Sequence, residues 1–220
     1  MGKSKFARSE NKKTLKREAF EWILTLFIAL TISILLKSTA FAMVQVKGSS
    51  MENTLFNGQK LFENRLVYNF EEPKRGDIII FNKAEKSNGV LSNVTSELKE
   101  TYNNIIGYQD DNILIKRVIG IPGDKIDIKN GYVYVNGVKQ DEYYAKGKTY
   151  PYVKGNGYPN ALTFPLVVPK GKVFVLGDNR EVSLDSRLIG FVDYKQIEGK
   201  VLYRIWPFDK IGSVYSNSRY

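Results

Sequence analysis

Neither cysteine nor histidine occurs anywhere in the 220 residues. The first absence removes disulfides, thiolate nucleophiles and thiolate metal sites. The second removes the usual general base, the serine-histidine-aspartate triad and nearly every catalytic zinc site. Hydrolytic chemistry in such a chain must run on Lys, Asp, Glu, Tyr, Ser or Thr, and no metal or cofactor is expected. Proline is missing from the first 72 residues, and no internal repeat is evident. There is no glycine-rich phosphate loop either, since Gly155-Asn156-Gly157 neither follows a long apolar strand nor opens a helix.

The chain is basic, with a formal charge of +10. Spread over a folded surface, such a charge would point to nucleic acid. It is not spread: residues 1–17 hold seven bases against Glu10 alone, so +6 of the +10 sits in a short polar tail. No nucleic-acid partner is expected. Residues 19–36 then form an apolar run of 18 residues, broken only by Glu21, Trp22, two threonines and a serine. As a helix this run rises about 27 Å, close to the roughly 30 Å of a hydrocarbon core. Trp22 at one end and Lys37 at the other suit the two interfaces. The expectation is one signal-anchor span over residues 19–42, with residues 1–18 as a cytoplasmic tail. The positive-inside rule then sends everything from Met43 onward across the cell membrane. A cleaved signal peptide is the sharper rival, because Ala40-Phe41-Ala42 has the small-x-small form of a cleavage site. A buried core helix is the weaker one.

From residue 43 onward short β-rich runs alternate with Gly, Asn, Asp and Pro, the texture of a mainly β domain of antiparallel sheet. Ile126-Asp127-Ile128, Tyr132-Val133-Tyr134-Val135 and Val138-Lys139-Gln140, separated by Asn130-Gly131 and Asn136-Gly137, read as two successive hairpins. Polar or turn-rich stretches near 84–112 and 125–170 read as insertions, the second a small β cap. The first holds a helical piece near 96–103 and a glycosylation sequon at Asn93.

Three segments carry groups capable of chemistry. In Gly48-Ser49-Ser50-Met51, Gly48 frees the backbone so that Ser50 projects a hydroxyl from a turn, although such turns are commonplace. In Ile115-Lys116-Arg117-Val118-Ile119, two bases interrupt an aliphatic strand. By alternation Lys116 shares a face with Leu114 and Val118, while Arg117 shares one with Ile115 and Ile119. An edge strand guarded by lysine would explain this. So would a desolvated lysine, whose lowered pKa supplies a neutral amine able to take a proton from serine. In residues 173–187, a buried-looking strand runs into a polar loop offering two acids suited to arginine and the hydroxyl of Ser183.

Taken together, Gly48-Ser49-Ser50-Met51-Glu52-Asn53-Thr54-Leu55, Arg75-Gly76-Asp77, Lys116-Arg117 with Gly120-Ile121-Pro122-Gly123-Asp124, and Gly177-Asp178-Asn179-Arg180 followed by Ser183-Leu184-Asp185-Ser186-Arg187 stand in one order. In this order the chain resembles the bacterial type I signal peptidases, membrane-anchored serine proteases with a Ser-Lys dyad. The resemblance implies Ser50 as nucleophile, Lys116 as general base and Ser183 as the hydroxyl that orients the lysine. It also implies Asp178, Asp185, Arg187 and Arg117 as an ion-pair scaffold, with Arg117 against Asp178. Substrates would be preproteins cut after small-x-small sites, with membrane lipid as the other partner. Val44, Val46, Met51, Leu55, Leu114 and Ile115 would line the substrate groove.

Asn53 stands where the family commonly has proline, which should loosen that turn, and Glu181-Val182 replaces a common Asp-Asn. Gly48 stands where members from two-membrane bacteria carry an oxyanion-donating serine, which looks like the single-membrane branch and leaves the Ser50 amide as chief donor. Self-cleaving repressor-type Ser-Lys proteases and a non-enzymatic anchored β module are the alternatives.

Overall fold

Residues 17–33, 40–83, 112–153, 155 and 158–215 are described here in a computed structural model. Nearly all of the first expected insertion, with its helical piece and sequon, lies outside them, as does the end of the apolar run.

Residues 17–33 form a helix, α1, and every side chain along it is exposed. Phe20, Trp22, Ile23, Leu26 and Phe27 are each about two-thirds exposed or more, so the helix packs no apolar face on the β domain. Thr25 and Thr31 return their hydroxyls to the carbonyls of Glu21 and Phe27, both at 2.8 Å, which hides two polar groups against the backbone. Among the described residues no helix is long and apolar enough to cross a membrane.

The rest is antiparallel sheet with two short helices, Val67–Phe70 (α2) and Ser186–Ile189 (α3). The strands in chain order are β1 (Phe41–Gln45), β2 (Lys60–Asn64), β3 (Ile78–Asn82), β4 (Ile113–Gly120), β5 (Lys125–Lys129), β6 (Tyr132–Val135), β7 (Val138–Lys139), β8 (Leu166–Val167), β9 (Lys172–Leu176), β10 (Val192–Asp193), β11 (Ile197–Trp206) and β12 (Gly212–Ser213). The main sheet runs β1-β2-β11-β3-β4-β9-β10, with β12 on β11; the second runs β7-β6-β5-β8.

β3 is an unbroken aliphatic and aromatic run because it lies between β11 and β4 and is buried on both faces. The two hairpins of the small sheet form as the dipeptides require. Asn130 and Gly131 sit at φ 54 and 84, and Asn136 and Gly137 at 53 and 83, the paired positive angles of type I′ turns.

Two expectations are corrected. The β domain begins before Met43: Phe41 and Ala42 belong to β1, paired with Asn64 and Glu63 of β2, and Ala40 and Ala42 are buried. The small-x-small tripeptide is therefore built into a sheet, where its small side chains fit against the core. Nor is β4 an edge strand, since it lies between β3 and β9.

Three buried apolar clusters divide around β4. Val46, Met51, Leu55, Leu61, Ile78, Ile80, Val201 and Val214 form one, against which Ile113 and Ile115 pack. Ile79, Phe81, Val118, Val173, Val175 and Val192 form the second, joined by Leu114. The third ties Ile119 and Phe174 to Ile126, Val133 and Val135 of the small sheet. Each fully buried aliphatic side chain is worth about 1.5–3 kcal/mol, so the strand that carries the two bases is held firmly on both sides.

Candidate active site

After β1 the chain turns through Gly48, which lies at φ +81, a conformation that L side chains rarely adopt. Residues 49–55 coil into a tight turn closed by Glu52 N–H to Ser49 O at 3.1 Å and Leu55 N–H to Met51 O at 2.8 Å. Met51 and Leu55 plug this turn into the first cluster. Ser50 is left partly exposed at its crest.

Lys116 reaches the crest from the middle of β4, opposite Ile79 of β3. It is 2% exposed, and its Nζ lies 2.8 Å from Ser50 Oγ and 2.8 Å from Ile115 O. Burial lowers its pKa to about 8, while Asp185 and Asp178 pull it back upward. An amine at this distance from a hydroxyl has the reach required of a base.

Beneath the pair lies a buried layer of matched charges. Arg117 grips Asp178 through Nε at 2.9 Å and Nη2 at 2.7 Å, and donates Nη1 to Gly76 O at 3.1 Å. Thr54, three turn positions beyond Met51, gives its hydroxyl to the same carboxylate. Arg187 holds Asp185 through Nε and Nη2, both at 2.9 Å, and donates to Arg180 O at 2.8 Å. Asp185 in turn accepts the Gly177 N–H at 3.1 Å. The Arg75-Gly76-Asp77 motif clamps the start of β3: Arg75 pairs with Asp124, Gly76 N–H donates to Val118 O at 2.8 Å, and Asp77 accepts from Lys200 at 2.6 Å.

Of the expected residues, Ser50, Lys116, Arg117, Asp178, Asp185 and Arg187 thus converge. Ser183 departs from expectation. It is 3% exposed beside the site, but its hydroxyl has no hydrogen-bond partner among the described residues, and Lys116 uses Ser50 and Ile115 instead. Its place is set by Gly177. A Cβ there would stand 2.2 Å from Ser183 Oγ and 2.5 Å from Ser50 O, so only glycine lets the loop close over the Ser50 backbone.

The expected groove is also thinner than the sequence implied. Val46, Met51 and Leu55 are 3% exposed or less and belong to the core rather than to a wall. Leu114 packs on the second cluster, away from Ile115. Val44 and Ile115 remain partly exposed at the rim of the first cluster. Asn53 does not loosen its turn: it sits at φ 90, which proline could not adopt, and its Nδ2 donates to Tyr144 O at 3.0 Å.

Four residues escaped sequence reasoning. Arg180 is buried and forks onto Glu142 at 2.7 and 2.8 Å, binding the small sheet's trailing loop to the site loop. Tyr144 lies with its ring 4.1 Å from the Arg117 guanidinium. Asn179 contacts the Ser50 turn directly, at Ser49 O. The density of polar residues in 177–187 signalled Asn179 and Arg180 alone; Glu142 and Tyr144 come from a cap loop earlier in the chain, which no local pattern ties to the site.

The family described as "Signal peptidase, peptidase S26" matches residues 19–206. Signal peptidase IB of Staphylococcus aureus is 38% identical over 204 residues, covering 89% of this chain and 94% of that protein. Signal peptidase I of Bacillus licheniformis is 34% identical over 206 residues, covering 92% and 97%. A crystal structure of a signal peptidase I from Enterococcus faecalis, at 29% identity, covers 59% of this chain and 97% of its own with a TM-score of 0.38. The chain belongs to the S26 signal peptidase family. It is a serine hydrolase that removes signal peptides from preproteins.

Proposed function

We propose that the cleavage runs on a Ser50-Lys116 dyad. The observation that carries this reading is the 2.8 Å approach of a buried lysine, its pKa lowered to about 8, to a serine hydroxyl in a chain without histidine. Neutral Lys116 accepts the Ser50 proton as Oγ attacks the scissile carbonyl carbon. The tetrahedral oxyanion is met by the Ser50 amide, and the resulting ammonium returns its proton to the leaving amine as the peptide bond breaks. The same amine then takes a proton from water as that water attacks the acyl carbonyl, and returns that proton to Ser50 Oγ as the acyl C–O bond breaks. Val44 and Ile115 flank the entry as short apolar walls, which favours small residues before the cut and hence small-x-small sites.

The protein works as a single-pass membrane enzyme, tail inside and sheet outside. The apolar run of residues 19–36 behind a basic tail supports this. A second support is the outward face of β1, β2 and β11, where Phe41, Met43, Tyr203 and Trp206 are exposed and Phe208 stacks edge-on to Trp206 at 4.6 Å. Such a stripe suits an interfacial, bilayer-facing side.

The test is cleavage of a preprotein ending its signal in Ala-x-Ala by the full chain in lipid vesicles. Ser50→Ala and Lys116→Ala are each expected to lower kcat by about 10⁴-fold or more, since the pair acts as a unit. Normal turnover by either variant would remove the dyad.

A further inference from the structure

Asp178, Asn179 and Arg180 point their side chains to three different places. Asp178 takes Arg117, and Arg180 takes Glu142. Asn179 is 4% exposed and turns to the nucleophile: its Nδ2 donates to Ser49 O at 3.1 Å, and its backbone N–H donates to Ser50 O at 3.0 Å. One residue therefore holds both carbonyls that flank Ser50.

A trans peptide is planar, and its C=O and N–H point in opposite directions. Pinning Ser49 O against Asn179 consequently aims the Ser50 N–H the other way, out of the turn. Ser49 O also accepts the Glu52 N–H at 3.1 Å, so two donors polarise the very peptide whose N–H is Ser50's. The Ser50 N–H itself donates to none of the described residues. The second hold, on Ser50 O, fixes the peptide after the nucleophile, and between them the two hydrogen bonds leave Ser50 little torsional freedom.

Asn179 is itself held. Its Nδ2 also faces Glu52 Oε2 at 3.4 Å, and that oxygen accepts Lys146 Nζ at 2.9 Å. Lys146 belongs to the loop of the small sheet and straddles Asn179 through its backbone, with Lys146 N–H to Asp178 O at 2.7 Å and Arg180 N–H to Lys146 O at 2.9 Å. The cap thereby braces Asn179 from outside while the core braces it from within.

We infer that Asn179 is the positioning residue of the oxyanion donor: it acts through the Ser49-Ser50 peptide, without touching substrate, to present the Ser50 amide to the tetrahedral intermediate. This rests on the dyad reading. It assigns to Asn179 a role in transition-state binding that is separable from Lys116 basicity and from ground-state substrate binding.

The experiment compares full-chain wild type, Asn179→Ala, the near-isosteric Asn179→Asp, and Ser50→Ala in vesicles. Each is assayed for kcat and KM on a preprotein, for the pH midpoint of kcat/KM, and for inhibition by a peptide aldehyde ending in Ala-x-alaninal. The aldehyde forms a hemiacetal with Ser50 whose oxygen needs the same amide. The Asn179 variants are expected to lose about 10- to 100-fold in kcat, against the 10²–10³ of a deleted oxyanion donor. KM should hold within threefold, the pH midpoint of Asn179→Ala should stay in place, and the aldehyde Ki should rise at least tenfold. A merely structural role reduces the folded fraction and so lowers kcat, but it leaves Ki where it was. The inference is overturned by an unchanged Ki in whichever Asn179 variant folds, or by kcat within twofold of wild type. Cleavage by Ser50→Ala would instead overturn the dyad reading itself, whatever the Asn179 variants do.

Discussion

Lys116 and Arg117 are neighbours on β4, both at most 5% exposed, and they fare oppositely. Arg117 enters a layer in which every charge is matched: Asp178 receives it on two oxygens, and Asp185 receives Arg187 in the same way. Lys116 enters the layer above, where its partners are a hydroxyl and a carbonyl, and among the described residues no carboxylate bonds it. The difference shows what burial does to a base with and without a countercharge. The arginines hold the loops together, and Asp178 beside Arg117 raises that guanidinium's pKa, whereas the lysine is left with the solvation penalty and a depressed pKa. The lower layer also protects the upper one, because two buried carboxylates left unmatched would return the lysine to its ordinary range.

The sharpest way to break this contrast is to remove the amine. Lys116→Met should abolish turnover, about 10⁴-fold or more, and yet stabilise the fold in acid. Because the folded state binds this proton less readily than the unfolded chain, the penalty is fully present below about pH 8 and disappears as the pH rises toward the ordinary lysine value. A gain of about 3 kcal/mol at pH 6, fading from about pH 8 and nearly gone by about pH 10.5, is the expected result of denaturant titrations. The wild-type kcat/KM should accordingly climb from acid with a midpoint near 8. A climb continuing past pH 10 would mean that the lysine is not desolvated in the working enzyme.

Breaking the lower layer comes next. Arg187→Met leaves Asp185 buried without its partner and should cost about 3–5 kcal/mol, read by urea unfolding. In whatever fraction folds, the activity midpoint should move to higher pH, since Asp185 already raises the lysine's pKa and would then act unopposed. An unmoved midpoint would separate the scaffold from the base.

Gly177→Ala probes the seam between the layers. With 2.2 Å to Ser183 Oγ and 2.5 Å to Ser50 O, an added methyl must push the nucleophile's backbone, and a loss of about 100-fold in kcat is expected from a displacement of that size. Full activity would show that the loop gives way elsewhere.

The smallest effect is expected at Gly48→Ser. Nothing lies within 4 Å of a Cβ there, but φ is +81, so the cost is backbone strain of about 1 kcal/mol, read as a lower Tm. A rate that rises despite this would show that a hydroxyl at 48 reaches the oxyanion.

That Ser50, Lys116, Arg117, Asp178, Asp185 and Arg187 meet was legible because each sits in a motif whose local chemistry is unusual: a serine on a glycine-led turn, two bases inside an aliphatic strand, acids and arginines crowded after another. The errors share a cause. Leu114 and Ile115 are one residue apart, and which faces the groove depends on which cluster each side of β4 meets. Val46, Met51 and Leu55 are apolar residues next to a nucleophile, and composition does not distinguish a wall from the core beneath it.

What the sequence determined by itself is the absence of histidine and thiol, hence chemistry confined to Lys, Asp, Glu, Tyr, Ser or Thr. It also determined the segregated charge, the apolar run and the β texture with its two Asn-Gly turns, all consequences of composition or of periods shorter than a turn. What only tertiary structure decided is who meets whom. Ser50 lies 66 residues from Lys116, and Ser49 lies 130 from Asn179. Ser183 was matched to the lysine by resemblance and ends against Gly177 without a bond. Hydrogen bonds act over about 3 Å, and across such separations in the chain that distance is set by the order of strands in the sheet, which no local pattern encodes.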